Sequence, residues 1–163
     1  MAGTGTVQKR RVASYPGSAE YEALIQHNGT VQTLLYQVED LGAGVDFTAR
    51  IIWSPSVASY ITAIKVLFYA ATASVDGSNT FVVTVANATQ AVTIGTLTKT
   101  TTSTANTAEA LTLTAANQDV AASDVITLAV TQGATANAGT FGIQIEYRSF
   151  EQIGDAAGTA ITA

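Results

Sequence analysis

The sequence predicts an all-β fold, a jelly-roll-like or Greek-key β-sandwich of about eight strands with an extended N-terminal arm and a C-terminal tail. From Val31 onward, β-branched and aromatic residues alternate with Thr and Gln in short runs, which is the period-2 pattern of strands. Gly, Asn, Asp and Pro separate these runs, as tight turns require. A chain of 163 residues, 47% of them hydrophobic, is large enough to bury one core without cross-links.

The two ends of the chain differ from its middle, because they are rich in small or polar residues and show no periodicity. We predict an N-terminal arm over residues 1–30, a sandwich domain over 31–149 and a C-terminal tail over 150–163. Within the arm, the dipeptide Asn28-Gly29 is a hairpin signal and favours an extra strand over 21–27. A helix is the alternative there, since Glu and Ala promote helices.

Eight runs have the strand pattern, and turn-forming residues separate them. They cover residues 31–39, 46–53, 60–71, 80–86, 91–97, 109–114, 124–131 and 140–148. The sequence Asp-Gly-Ser-Asn at 76–79 provides the reversal between the third and fourth runs, and Ala-Asn-Ala-Thr at 86–89 provides the next. The polar, low-complexity stretch 99–107 predicts a long exposed connection that crosses between two sheets.

The third run, 60–71, is apolar on both of its faces. One face carries Ile64, Val66, Phe68 and Ala70. The other face carries Leu67 and Tyr69, and Lys65 is its one charged residue. We therefore expect the second face to be covered. A loop or the arm of the same chain is one candidate for this cover, and a neighbouring subunit is the other.

The last three runs each have one apolar face, which alternation assigns to the core. The side chains predicted to point inward are Leu111, Leu113, Ile126, Leu128, Val130, Phe141, Ile143, Ile145 and Tyr147. The opposite face of the final run is predicted to be wet or interfacial and carries Gly142, Gln144, Glu146 and Arg148. The loop QGATANAG at 132–139 is expected to be a tip that faces solvent or a partner.

Few residues in this chain could carry out a reaction. The absence of cysteine excludes disulfides, thiolate zinc sites and thiol nucleophiles. The one histidine, His27, lies beside a predicted turn, and no serine has the flanking glycines of a nucleophile elbow. We therefore predict that the protein is not an enzyme and that it needs no cofactor and no metal.

Two groups of acids and one set of aromatic residues have alternative interpretations. Glu39-Asp40 with Asp46, and Asp119 with Asp124, could flank a cation or a glycosidic bond, whereas acids at strand ends more often cap turns. Trp53 could form a sugar-binding platform with Tyr60 and Tyr69. We favour a place at the edge of the core, because large aromatic residues dominate the interior of sandwiches.

The charge content indicates a protein that associates with other proteins. Only 12% of the residues are charged, against roughly a quarter in an average soluble domain, so the surface lacks much of the usual protection against association. The net charge of −5 argues against nucleic-acid binding. Three of the seven basic residues cluster at Lys9, Arg10 and Arg11, where they either contact an acidic partner or form a solvated arm.

No membrane association is predicted from the sequence. The longest apolar run, 61–71, is shorter than a bilayer-spanning segment and contains Lys65. The first residues also lack the apolar region of a signal peptide, so we expect any export from the cell of origin to use another route, such as lysis.

The stretch 110–148 resembles the C-terminal half of small β-sandwich structural proteins of tailed bacteriophages. One shared motif, V-x-x-x-D-V-I, introduces a strand, and a Gly/Thr/Asn loop then leads to a final strand that ends in EYR. The matching residues are Val120, Asp124, Val125, Ile126, Ile143, Ile145, Glu146, Tyr147 and Arg148. The resemblance covers 39 of the 163 residues, and the motif is structural rather than catalytic.

The resemblance implies a virion structural protein, a capsid decoration or cement protein that forms a homotrimer on the outer surface of the phage head and clamps neighbouring major capsid proteins. Under this hypothesis, the predicted capsid contacts in the arm are Lys9, Arg10, Arg11 and Tyr15. The predicted contacts with a sister subunit are Lys65, Leu67 and Tyr69. The alternative function is a host-receptor or glycan-binding module of a head fibre or tail appendage, and a glycan hydrolase is a remote third.

Overall fold

A computed structural model of the chain describes residues 7–9, 24–27 and 31–152, with side chains over 31–149. Strand β1 (Val7–Lys9) pairs with β2 (Leu24–His27), and β2 pairs in turn with the last three residues of the final strand. The remaining strands form two antiparallel sheets of five strands each. The all-β sandwich predicted from the sequence is confirmed.

The first sheet contains β3 (Gln32–Val38), β5 (Ser59–Phe68), β8 (Thr107–Ala110), β10 (Asp119–Val120) and β12 (Phe141–Gln152). The second sheet contains β4 (Phe47–Trp53), β6 (Phe81–Asn87), β7 (Val92–Lys99), β9 (Thr112–Leu113) and β11 (Ile126–Gln132). One 3-10 turn, Ala115–Asn117, lies between β9 and β10.

The order of the eight main strands is that of a jelly roll. The eight main strands, without the two-residue strands β9 and β10, are β3 to β8, β11 and β12, and they are numbered one to eight in chain order. In that numbering, the first sheet, β3-β12-β5-β8, has the order one-eight-three-six, and the second, β4-β11-β6-β7, has the order two-seven-four-five. All connections except the β6–β7 hairpin therefore cross from one sheet to the other. The stretch 99–107 makes such a crossing between β7 and β8, as predicted.

The core lies between the two sheets and is formed by the inward side chains of both. The rings of Phe68, Phe81 and Phe141 pack edge to face at its centre, with centroid distances of 6.0 Å and 5.5 Å. The predicted inward faces are confirmed, since Ile126, Leu128, Val130, Phe141, Ile143 and Ile145 are all fully buried. Tyr147 is half-buried at the margin of the core, where a bulge interrupts the pairing of β12 with β5.

The predicted strand at 109–114 is divided between the two sheets. β8 pairs with β5, whereas β9 pairs with β7 across the sandwich. The buried Leu111 lies at the crossing, and its N–H donates to the carbonyl of Ile64. The chain then returns to β5 through β10. The segment closes one side of the sandwich, because it supplies backbone partners to the margins of both sheets.

The hairpin predicted at Asn28-Gly29 is wrong. A strand is present at Leu24–His27, inside the predicted range 21–27, but β2 and β3 are both antiparallel to β12 and so run in the same direction. β12 is twelve residues long and extends past the predicted boundary at 149, so it has backbone groups for both strands. Residues 28–30 themselves lie outside the described residues.

The loop at 132–139 is also more buried than an exposed tip would be. Ala136 and Ala138 belong to the core, and Asn137 pairs with Ala73 in an isolated bridge. The buried side-chain amide of Gln132 donates to the carbonyls of Gly42 and Val45 and accepts the N–H of Ala138. Only residues 134–135 of this loop are exposed.

Candidate functional site

The outer face of the first sheet carries a surface of mixed apolar and polar side chains that we call the Leu35–Tyr69 face. Its residues are Leu35 on β3, Lys65 and Leu67 on β5, Tyr69 just after β5, and Gly142, Gln144 and Glu146 on β12. The registers place Leu35, Gln144 and Lys65 in one row across three strands. Gln37, Gly142 and Leu67 form the next row.

Large apolar side chains on this face are accessible. Leu35 is 55% exposed and Tyr69 is 39% exposed, while Leu67 is half-buried. On the far side of β5, the row continues onto β8 with the exposed side chains of Ala108 and Ala110. The side chains of Ala108 and Ala110 on β8 are small and β12 has a glycine at 142, so a flat protein surface could approach this face closely.

Gly142 positions the aromatic ring of the face. A Cβ atom built at Gly142 would lie 2.5 Å from Tyr69 Oη and 3.2 Å from Leu35 Cδ1. The Tyr69 side chain therefore lies across the glycine and reaches β3. Tyr69 and Leu35 both approach the position that a side chain on Gly142 would occupy, and the absence of that side chain makes room for them.

The charges on the Leu35–Tyr69 face neutralise each other. Lys65 Nζ lies 2.6 Å from Glu146 Oε1, and both side chains are partly exposed. Gln144 Nε2 donates to the same oxygen at 3.1 Å. Lys65 and Glu146 therefore bring a paired charge into a contact, but Arg148, further along the same face of β12, has a buried Nε without a hydrogen-bond partner, and leaving it unpaired in a contact would cost several kcal/mol.

The predicted subunit contacts lie together in the structure. The side chains of the predicted capsid contacts are not among the described residues. Lys65, Leu67 and Tyr69 all lie on the Leu35–Tyr69 face. Lys9 is in β1, where only the backbone is described, and Arg10, Arg11 and Tyr15 lie outside the described residues. The role of all seven residues stays a prediction.

Sequence reasoning missed Leu35 as a member of this face, and it placed Gly142 on the outer face of the last strand without connecting it to Tyr69. Alternation along β3 separates Leu35 from the inward-facing Leu34 and Tyr36, so the pattern contained part of the signal. It could not show that β3 and β5 both flank β12. That pairing brings Leu35 and Tyr69 to opposite sides of Gly142.

The outer face of the second sheet has a different chemistry. Thr84, Thr96 and Thr112 form one row across β6, β7 and β9. Ile51, on β4, is 65% exposed and is the most exposed large apolar residue among those described. Thr96 and Thr112 are exposed and Thr84 is half-buried, and Ile51 offers a matched control for substitutions on the first sheet.

Two of the five carboxylates considered as cation or catalytic groups, Asp46 and Asp124, connect distant parts of the fold through hydrogen bonds. Asp124 Oδ2 accepts hydrogen bonds from Asn87 Nδ2, Gln90 Nε2 and the backbone N–H of Ala121, at 2.7 to 2.9 Å. Asp46 Oδ1 accepts the backbone N–H of Gln132 at 2.6 Å. These acids join loops, and over residues 31–149 no three potential metal ligands of the His, Cys, Asp or Glu type come together.

The acidity of Asp124 is set by competing effects. Burial raises the pKa of this carboxyl group, which is 4% exposed, but the hydrogen bonds from Asn87, Ala121 and Gln90 outweigh burial. The net pKa lies below the ordinary value of 3.8. Asp124 is therefore ionised near neutral pH and holds three donors on one oxygen.

The aromatic residues considered as a sugar platform are separated. Trp53 packs on Tyr147 with a centroid distance of 4.6 Å and an interplanar angle of 43°, which places it at the edge of the core. Tyr60 donates its hydroxyl to Gln118 Oε1, and Tyr69 lies on the Leu35–Tyr69 face.

No helix in the described part of the chain is long and apolar enough to cross a membrane.

Comparisons with known proteins give no indication of function, so the surface of the molecule is the principal indication. No family model matches the sequence, and no curated protein or solved structure is detectably similar to it. The resemblance to phage structural proteins therefore rests on the residues of 110–148 alone. The fold is shown by the strand pairing, and the function has to be argued from the surface of the molecule.

Proposed function

We propose that this protein is a virion structural protein, a capsid decoration or cement protein of a tailed bacteriophage that binds the outer surface of the head. The observation that carries the proposal is the Leu35–Tyr69 face, where the large apolar side chains of Leu35, Leu67 and Tyr69 are accessible beside the ion pair of Lys65 and Glu146. Exposed apolar surface of this kind marks protein contacts. Jelly rolls are a common architecture of viral structural domains, and the motif at 120–126 agrees with that class.

The proposed mechanism is stabilisation by binding, without a chemical reaction. A protein that binds the assembled shell and not its separated parts shifts the equilibrium toward the shell. Contacts with several major capsid proteins at once add avidity, because each further contact is intramolecular. The head then resists rupture in proportion to the summed contacts.

The proposal divides the contacts between two regions. Lys65, Leu67 and Tyr69 pack against a sister subunit in a homotrimer, as the resemblance implies. The arm, with Lys9, Arg10, Arg11 and Tyr15, contacts the major capsid protein. A stable contact of average size buries about 1,200–2,000 Å² in total, so an arm and a sheet face together can supply what either lacks alone.

A binding experiment with capsids tests the proposal. Purified protein is added to heads that lack it, and occupancy is measured by cryo-electron microscopy together with the temperature at which the heads rupture. We expect regular occupancy on the head lattice and a higher rupture temperature. Occupancy on the tail, or specific binding to a glycan array, would support a receptor-binding module instead.

Variants separate the two contact regions. Deletion of residues 1–19 should abolish decoration, and normal decoration by the deletion variant would refute the role of the arm. Leu67→Ser combined with Tyr69→Ser should reduce the assembled fraction of the free protein. Ile51→Ser is the matched control, since it removes a more exposed apolar side chain from the other sheet and should leave assembly unchanged.

A further inference from the structure

β3 is the one long edge strand among the described residues that pairs regularly and bears no charged residue. It pairs with β12 through seven successive residues without a bulge, and no other described strand pairs with its opposite side. Its sequence, QTLLYQV, contains no charged residue and no proline. An edge of this kind presents unpaired backbone N–H and C=O groups and is a template for another strand.

The other strands at the sheet margins have features that oppose pairing. β4, at the margin of the second sheet, has two irregularities in its register with β11, and Ala49 within it has a φ of 54°. Arg50 adds an exposed charge and lies 4.2 Å from the Phe47 ring. β8, β9 and β10 have only two to four residues. Bulges, charges and short length are the usual protections of an edge, and β3 has none of them.

We propose that β3 pairs with β3 of a second copy of this chain, antiparallel and with Leu35 opposite Leu35. This is the one antiparallel register in which all seven residues of β3 find a partner. It places Thr33 opposite Gln37, and Leu34 opposite Tyr36. Like polarity meets in these two pairs, whereas the end pair sets Gln32 opposite Val38, and the exposed Leu35 gains an apolar neighbour across the two-fold axis.

Charge selects the antiparallel direction. Glu39 and Asp40 follow β3 directly in the sequence. In a parallel pair, the acids of both copies would lie side by side and repel each other. In the antiparallel pair, Glu39 lies beyond the partner strand, opposite the uncharged Val31. No like charges meet along the contact.

The pairing extends the Leu35–Tyr69 face across both copies. The register keeps outward side chains opposite outward ones, so the two outer faces lie on the same side of a single ten-stranded sheet. An isologous contact joins chains two by two, so homotrimers formed through Lys65, Leu67 and Tyr69 would be paired into assemblies with an even number of chains in the free protein. This inference concerns the free protein and does not rest on the proposed function in a virion.

Single cysteines test the contact directly, since the chain contains no cysteine of its own. Residues directly opposite in an antiparallel pair have Cα atoms about 4.5–5.5 Å apart, within the range for a disulfide. Leu35→Cys should form a disulfide-linked dimer under mild oxidation about tenfold faster than Ile51→Cys, the matched control on the other sheet. Equal rates for the two variants would overturn the proposal.

The register has its own test. An equal mixture of Thr33→Cys and Gln37→Cys should give mixed dimers faster than either variant alone, because each residue lies opposite the other and about 13 Å from its own copy. Cross-linking of Leu35→Cys without this preference would show that outer faces, and not β3 edges, are in contact, and would also overturn the proposal.

A charge exchange provides a test that does not depend on oxidation. Leu35→Lys and Leu35→Glu should each sediment as half the mass of the unmodified protein, because like charges meet at the two-fold axis. Their equal mixture should recover the larger mass. Ile51→Lys should keep the mass of the unmodified protein. A unit with an odd number of chains in the unmodified protein, unaffected by Leu35→Lys, would contradict the pairing.

Discussion

Asp124 shows how one buried residue can hold several loops in place. Its carboxylate lies where the β6–β7 turn meets the loop before β11, and one oxygen accepts three N–H groups. Asn87, one of the donors, is also buried. A buried carboxylate without a cation persists because hydrogen bonds replace its hydration. The motif residue that carried the family resemblance is thus a structural anchor.

Asp124→Asn should lower the free energy of unfolding at pH 7 by about 1–3 kcal/mol, because charge-assisted hydrogen bonds are replaced by neutral ones. The folded pKa lies below 3.8, so the contribution of the carboxylate is complete well above pH 3.8 and is lost as the pH falls through the lower folded value. Urea titrations at several pH values should show the two proteins converging in acid. A constant difference down to pH 2 would contradict this.

Gly142→Ala should alter the Leu35–Tyr69 face without unfolding the protein. The new methyl group would displace the Tyr69 hydroxyl, which is at the free end of an exposed side chain, so the loss of stability should stay below about 1 kcal/mol. Assembly or capsid binding should weaken while the melting temperature changes little. Unchanged binding would exclude Tyr69 in its present position from the contact.

At the scale of elements, the shortest strands close one side of the sandwich by pairing with the margins of both sheets. β9 has two residues, yet it pairs with β7 and brings Leu113 against the core. Gly95 on β7 makes this approach possible, because a Cβ atom there would lie 2.6 Å from Leu113 Cδ2 and 3.2 Å from the Thr112 carbonyl oxygen. A glycine within a strand often marks such a close approach.

Gly95→Ala should therefore destabilise the protein by about 1–3 kcal/mol through overpacking between β7 and β9. Chemical denaturation followed by fluorescence measures the change. Gly77→Ala is the matched control, since a Cβ atom at Gly77 would meet nothing within 4 Å, and its stability should stay within about 0.5 kcal/mol of the unmodified protein. Equal effects of both substitutions would rule out the close approach as the cause.

At the scale of the whole molecule, polar contacts link the two sheets along the crossing at 99–107. Lys99 on β7 lies 2.7 Å from Glu109 Oε2 on β8. Ser103 donates its hydroxyl to the same carboxylate, and its N–H donates to Thr72 Oγ1. Burial raises the pKa of Glu109. Hydrogen bonds from Lys99 and Ser103, together with the charge of Lys99, have a larger effect in the opposite direction, so the pKa lies below the ordinary value of 4.5.

Acid should unfold the protein through these carboxylates. Glu109, Asp124 and Asp76 all have a lowered pKa in the folded state, Asp76 through the backbone N–H groups of Ser78 and Asn79. The unfolded chain therefore binds more protons than the folded one in acid, and the melting temperature should fall below about pH 5. Glu109→Gln combined with Asp124→Asn should melt at a lower temperature near neutrality and flatten this fall. An equally steep fall in the double variant would place the proton uptake elsewhere.

The fold class and most of the core follow from local pattern. Alternation predicted that Ile126, Phe141 and Ile143 point inward, and each is fully buried. Period-2 patterning reports the face of a strand directly, because successive side chains point to opposite sides of the sheet. The turn-forming residues at 76–79 and the polar residues at 99–107 predicted connections between strands, and both segments lie between strands in the structure.

Pairing between distant parts of the chain was decided only in the tertiary structure. The sequence by itself determined that Leu67 and Tyr69 share one face of β5, but the neighbours of that face depend on β3 and β8 reaching the same sheet. The division of 109–114 and the shared direction of β2 and β3 likewise depend on partners far along the chain. Backbone hydrogen bonds between strands are identical for every sequence, so register and partner emerge from packing of the whole core.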